Sequence, residues 1–250
     1  MSELPHSTKN YLEEYKEILL SLSRDIQSVL GENLVGVYIT GSLVNGTWNP
    51  KTSDIDTCII LKNSLSDSEV VSLGERHQEF LVRDGIGEKL EGEYVTLRSL
   101  KEKDFSEMVG SLKEGNFSLE HNNLSQDNLA GLNQNSIALI GPEFISLGVT
   151  VTEQELKAAV RSMLQEDREE AKTEQDFNKK LYLLINSLRC IYTLRTGKLP
   201  TKQGSVEAGK NLLTPSLYDQ LQAYFCGNLE EFNIPNELVV SIIDSGLELS

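Results

Sequence analysis

The residues of this sequence best suited to chemistry are Gly41-Ser42, a polar loop from Leu43 to Ser53 that includes Gly46, and Asp54-Ile55-Asp56. Two carboxylates spaced two residues apart share one face if the strand period already holds there. Their hard oxygens then suit one or two divalent cations, magnesium above all. Gly41 lets a backbone approach a phosphate closely, and Ser42 adds a hydroxyl and main-chain N–H groups for the same oxygens. Either half alone reads as a turn or a solvated strand-end acid. Together, between two strands, they point to a site where phosphate, metal and carboxylates meet.

The elements that must position these residues are legible on either side. Tyr11, Tyr15, Ile18, Leu22, Ile26 and Val29 recur at helical spacing, and Gly31 closes the run as a C-cap glycine would. Leu34 to Ile39 and Thr57 to Leu61 are short, rich in β-branched residues, and flank the polar loop as two strands. Ser66 and Glu69 form a capping-box pattern before a helix turning Val70, Leu73, His77 and Phe80 inward, and Glu91 to Leu97 reads as a third strand. After Lys101 the sequence turns polar, until Ile137 to Ile140 gives a short strand closed by Gly141 and Pro142. Beyond Thr150 the pattern is helical: a capping box at Thr152 and Glu155, a stripe of Leu181, Leu184, Leu188 and Ile191 ending near Gly197, then helices starting at Thr214-Pro215 and Pro235. The expected architecture is an α/β domain over residues 1–150, a small mixed sheet with flanking helices, followed by an all-α helical bundle over 151–250.

Composition narrows the function. The chain has 250 residues, 39% hydrophobic and 24% charged, ordinary values for a folded protein. A net charge of -15 argues against nucleic acid as a partner, since binding it draws on lysines and arginines, whereas a cationic small molecule is favoured. The acidic start, with Glu3, Glu13, Glu14 and Glu17, does not fit a signal peptide, and no apolar span reaches membrane-helix length. Cys58, Cys190 and Cys226 show neither a disulfide framework nor a zinc spacing, which suits a cytoplasmic setting. His6, His77 and His121 lack metal-ligand spacing and receive no role.

Gly-Ser, a short loop with a glycine, and Asp-x-Asp resemble the signature of the DNA polymerase β-like nucleotidyltransferase superfamily. Within it the sequence is most similar to the streptomycin and spectinomycin adenylyltransferases. Leu90-Glu91 resembles the opening of their third strand, Ile137-Ala138-Leu139-Ile140-Gly141-Pro142 their Val-Ala-Leu-Val-Gly-Pro segment, and Arg189 to Lys198 with Lys202 their helix and lysine-bearing loop. The resemblance implies transfer of AMP from ATP to a hydroxyl of a small molecule, with magnesium held by Asp54 and Asp56 and with Ser42 on the nucleotide phosphates. It implies Glu91 as the general base, with Glu93, on the same face, as the alternative. It further implies Arg189 and Lys202 on the triphosphate, Tyr224 in the nucleotide site, and ATP bound between the two domains.

Departures bear on the acceptor. Where these enzymes place a tryptophan and acidic residues to hold the antibiotic, this sequence has Asp176, Phe177, Asn178, Lys179 and Lys180, which points away from streptomycin. Glu166, Asp167, Glu169, Glu170, Glu174 and Asp176 still form an acidic stretch, either a cation-recognising rim or a solvated helix face. Two rival functions are an idle nucleotide-binding protein of the same fold, which intact Ser42, Asp54 and Asp56 disfavour, and a transferase acting on protein or RNA, which the net acidity disfavours.

Overall fold

The computed structural model describes residues 11–50, 53–83, 86–122 and 124–249, so the stretch before Tyr11, Glu3 and His6 included, lies outside the described residues. Helix α1 (Tyr11–Leu30) buries Leu19, Leu22, Ile26 and Leu30 at three- and four-residue spacing, which lays one apolar stripe against the sheet. A 3-10 turn at Gly31–Asn33 leads into β1 (Leu34–Ile39), and a single helical turn, α2 (Gly41–Val44), follows. Strand β2 (Ile55–Leu61) starts two residues ahead of the apolar run read from sequence, because Ile55 is fully buried and pairs with Leu90. The capping box before α3 (Asp67–Arg83) is formed: the Ser66 N–H donates to Glu69 Oε2 at 2.8 Å and the Glu69 N–H to Ser66 Oγ at 3.4 Å. Leu73, His77 and Phe80 of α3 are buried, and Val70 is half-buried.

Strand β3 (Leu90–Thr96) runs into α4 (Leu97–Glu102), and the polar stretch beyond it is more ordered than its composition suggested. It folds as a hairpin, β4 (Met108–Lys113) and β5 (Asn116–His121), then α5 (Gln126–Gln134) and β6 (Ile137–Ile140). Glu114 and Gly115 carry φ of 50° and 73°, the pair of positive angles that a two-residue turn needs to match strand twist. The six strands form one mixed sheet in the order β5-β4-β3-β2-β1-β6, in which β2 and β3 are parallel and every other neighbouring pair antiparallel.

By contact, one compact unit takes the described residues of Met1–Leu124 and Gly131–Thr150, the other those of Ser125–Ala130 and Val151–Ser250. The first closes over a core including Ile26, Ile39, Ile59, Leu73, Phe80 and Tyr94. The second is helical: α6 (Glu153–Ala171), α7 (Phe177–Thr196), α8 (Lys202–Ala208), α9 (Pro215–Phe225) and α10 (Asn236–Leu247). Its ends follow local chemistry. Thr152 and Glu155 make a capping box, Asp176, Thr201 and Thr214 each accept from a first-turn N–H, and Gly197 ends α7 at φ +69°. No described helix is long and apolar enough to cross a membrane.

Candidate active site

Strand pairing assembles the site. Because β1 and β2 run antiparallel with Ile39 opposite Thr57, the chain leaving β1 and the chain entering β2 sit side by side, and the Thr40 N–H donates to the Asp56 carbonyl at 3.0 Å. The two halves of the motif, separated by a loop in sequence, therefore meet at one end of the sheet. Gly41 stands at φ +72°, and a Cβ there would fall 1.8 Å from Asp56 Oδ2. That position admits only glycine on both counts: a left-handed backbone, and a carboxylate lying where a side chain would begin.

The parallel pairing of β2 with β3 brings in the third acid. Asp56 is the register partner of Glu91, and Cys58 that of Glu93. Glu91 thus stands beside Asp56 at the strand end, while Glu93 lies one step deeper, against a thiol whose pKa is pushed up to about 12 by burial and by the Glu93 charge. Gly92 between them, at φ +155°, leaves no room for a Cβ, which would come 2.1 Å from the Thr57 carbonyl oxygen. The Thr57 hydroxyl donates to the Glu91 carbonyl at 2.9 Å, tying the two strands at the level of the site.

Several hydrogen bonds hold the described residues between Gly41 and Asp54. The Thr47 N–H donates to the Ser42 carbonyl, the Ser53 N–H to the Asn49 carbonyl, and the Asn49 N–H to Ser53 Oγ at 3.0 Å. Trp48 is buried, and its indole N–H donates to the Asp54 carbonyl at 3.1 Å, while the Asp54 residue itself is exposed. The Lys89 ammonium reaches the Ser53 carbonyl at 3.4 Å. From the far side, the Asn135 amide donates to Asn45 Oδ1, and the Thr40 hydroxyl donates to the Asn135 carbonyl at 3.0 Å. Lys89 and Asn135 had no signal in the sequence, since each reaches the loop only through folding. Asn45 and Trp48 were visible as loop residues, and a large aromatic inside a polar loop is a cue that it has somewhere to be buried.

Arg189, Lys202 and Tyr224 belong to the helical unit. Arg189, on α7, is half-buried, and its Nε is buried without a hydrogen-bond partner. Lys202 is exposed at the first turn of α8. Tyr224 sits in an aromatic cluster, its ring 6.1 Å from Phe177 and 6.2 Å from Phe225 and Phe232. The acidic stretch is divided. Glu169 pairs with Lys172 at 2.6 Å and Glu170 with Lys179 at 3.2 Å, contacts of small energetic weight at such exposure. Asp167 instead turns inward and accepts from the Asn186 amide at 2.7 Å, and burial raises its pKa despite that bond.

Known proteins resemble this chain in sequence and in fold. Residues 12–114 match the model of the nucleotidyltransferase domain. Spectinomycin 9-adenylyltransferases of Staphylococcus aureus strains Mu50 and N315 are each 25% identical over 199 residues, covering 73% of this chain and 73% of theirs. The crystal structure of spectinomycin adenyltransferase AAD(9) from Enterococcus faecialis, with ATP and spectinomycin, superposes with a TM-score of 0.66 at 17% identity, covering 93% of this chain and 97% of that one, which establishes a shared fold.

Proposed function

We propose that this chain, an enzyme whose residues 12–114 form a nucleotidyltransferase domain, moves AMP from ATP onto a hydroxyl of a small cationic molecule of the aminocyclitol or aminoglycoside class. The observation that carries the reading is the meeting of Gly41, Asp56 and Glu91 at one sheet end. The choice of nucleotide and acceptor is supported by the relatives, which act on spectinomycin, and by the structural neighbour, which holds ATP. A net charge of -15 favours a cationic acceptor. Three free cysteines, two of them buried, suit the cytoplasm as the place where the reaction draws on ATP.

The donor set fits magnesium. Among the described residues no three His, Cys, Asp or Glu side chains converge as a self-sufficient metal cage. Magnesium takes one or two carboxylates and completes its shell with water and substrate phosphates, so Asp54 and Asp56 suffice as protein ligands. When bound, it would polarise the phosphoryl oxygens and offset charge on the leaving pyrophosphate. The rest falls to the chain's own groups. The Ser42 hydroxyl and neighbouring N–H groups hold phosphate oxygens. Glu91 takes the proton of the acceptor hydroxyl as its oxygen bonds to the α-phosphorus, and the bond from that phosphorus to the β-bridging oxygen breaks to release pyrophosphate. Arg189 and Lys202 serve the triphosphate as fixed positive charge, and Tyr224 the nucleoside.

The test is pyrophosphate release with each nucleoside triphosphate against spectinomycin, streptomycin and a neutral polyol. The expected result is magnesium-dependent release with ATP and spectinomycin, little with streptomycin, and none in Asp56→Asn. Release unaffected by Asp56→Asn, or no release with any acceptor of this class, would sink the proposal.

A further inference from the structure

An exposed carboxylate holds a metal more tightly when the backbone beneath it is fixed, and Asp54 lies just ahead of β2, outside any strand. Two contacts fix that backbone. The first is the indole of Trp48. An indole N–H can only donate, and burying it without an acceptor would carry a penalty. Six residues on, the Asp54 carbonyl accepts it at 3.1 Å. The indole is itself immobilised by Tyr11 and Tyr15, whose centroids lie 5.0 Å and 5.2 Å away at 60° and 70° to its plane, so α1 serves as its anvil.

The second contact is Lys89. Its Nζ lies 5.9 Å from the centroid of the same indole and donates to the carbonyl of Ser53, the residue immediately before Asp54. Lys89 also ends the 3-10 turn Gly87–Lys89 that enters β3, two residues ahead of Glu91. One side chain thus joins the strand bearing Glu91 to the loop bearing Asp54. The indole packs into the core, and the ammonium is engaged with a carbonyl and a ring.

We infer that Trp48 and Lys89 are positioning residues, which hold the Ser53 and Asp54 carbonyls so that the Asp54 carboxylate is preset for magnesium. This rests on the reading of Asp54 as a ligand given under the proposed function. A merely structural Trp48 would matter through its ring, whereas a positioning Trp48 matters through its N–H, and Trp48→Phe separates the two. Lys89→Met keeps the aliphatic stem and removes the donor, while Lys89→Arg keeps a cation that can lie over the indole and donate.

Mg·ATP affinity by calorimetry, half-saturating magnesium in the transfer assay, and melting temperature are measured for the parent, these three variants and Asp54→Asn. Groups that orient a metal ligand typically change metal affinity by roughly 10-fold or more, so Trp48→Phe and Lys89→Met should weaken Mg·ATP binding by about that factor. Their melting temperatures should stay close to the parent's, excess magnesium should restore turnover, and Lys89→Arg should recover most of the affinity lost in Lys89→Met. Parent-like binding in both Trp48→Phe and Lys89→Met overturns the inference, and so does a loss that tracks melting temperature and ignores magnesium. The Asp54→Asn arm keeps two failures apart. Unchanged Mg·ATP binding there removes the ligand role of Asp54 itself, whereas weakened binding there, with parent-like binding in the other two, removes only the roles of Trp48 and Lys89.

Discussion

At the scale of the residue, the sharpest constraint is Gly41, where backbone angle and crowding act together. Gly41→Ala places a methyl 1.8 Å from Asp56 Oδ2 at a left-handed φ of +72°. The backbone term alone is about 1–2 kcal/mol, and Asp56 must also move. Gly41→Ala should therefore lower the melting temperature and also lose Mg·ATP binding, whereas Gly46→Ala, at φ +71° with open space around its Cβ, should show the stability loss with binding largely kept. Equal binding in both would separate Asp56 from Gly41. The base offers a second comparison. With Glu91 beside Asp56 and Glu93 beside Cys58, Glu91→Gln should reduce transfer by roughly 10²- to 10⁴-fold while Mg·ATP still binds, and Glu93→Gln should act chiefly on stability. Single-turnover rates decide it; a dead Glu93→Gln beside an active Glu91→Gln would reverse the assignment. Sequence favoured Glu91 by resemblance and kept Glu93 as the alternative because the two share a face. The register of β2 against β3 sets Glu91 beside Asp56 and Glu93 beside Cys58, and register is a property of pairing, not of either strand.

Among the elements, those whose signals are local were legible: capping boxes at Ser66 and Thr152, the stop at Gly197, and the short apolar strands. The hairpin of β4 and β5 was not, because β5 lies at the sheet edge with most of its residues exposed and so carries little of the apolar alternation that marks a strand. Its turn, Glu114-Gly115, gave little cue either, because glutamate is a residue type seldom found at positive φ. Helix α3 and this hairpin enclose His77, which is stacked on Phe117 at 5.8 Å with its Nε2 2.5 Å from the Tyr94 hydroxyl. Burial lowers the His77 pKa from 6.5 to about 4. The imidazole stays neutral in the fold but is protonated in the unfolded chain below pH 6.5, so its share of stability is intact above that pH and falls as pH drops toward about 4. The loss at the acid end is roughly 3 kcal/mol. Urea midpoints between pH 8 and pH 4.5 should fall more steeply in the parent than in His77→Gln, and identical slopes would show that the ring is not the titrating group.

For the molecule as a whole, charge and topology matter most. A net charge of -15 is legible from composition and implies long-range attraction for a cationic acceptor. Raising ionic strength from about 0.05 to about 0.5 M should increase KM for an aminocyclitol several-fold while leaving KM for a neutral polyol little changed, because the screening length shortens. Equal salt dependence for both would mean that the surface charge serves solubility alone. Topology was less legible. The sequence shows three strands near the motif but not that β2 lies between β1 antiparallel and β3 parallel, the arrangement that sets Gly41, Asp56 and Glu91 at one end. The contacts of Trp48 with Tyr11, Tyr15 and Lys89 were hidden for the same reason, since they join residues distant in the chain. They carry a practical consequence. Trp48 is the only tryptophan in the sequence, it is buried, and its N–H is bonded to the carbonyl of Asp54. With excitation beyond the absorption band of the eight tyrosines, emission from the unlabelled protein comes from one indole hydrogen-bonded to the Asp54 backbone, and its colour and intensity form a built-in optical gauge of changes around that residue.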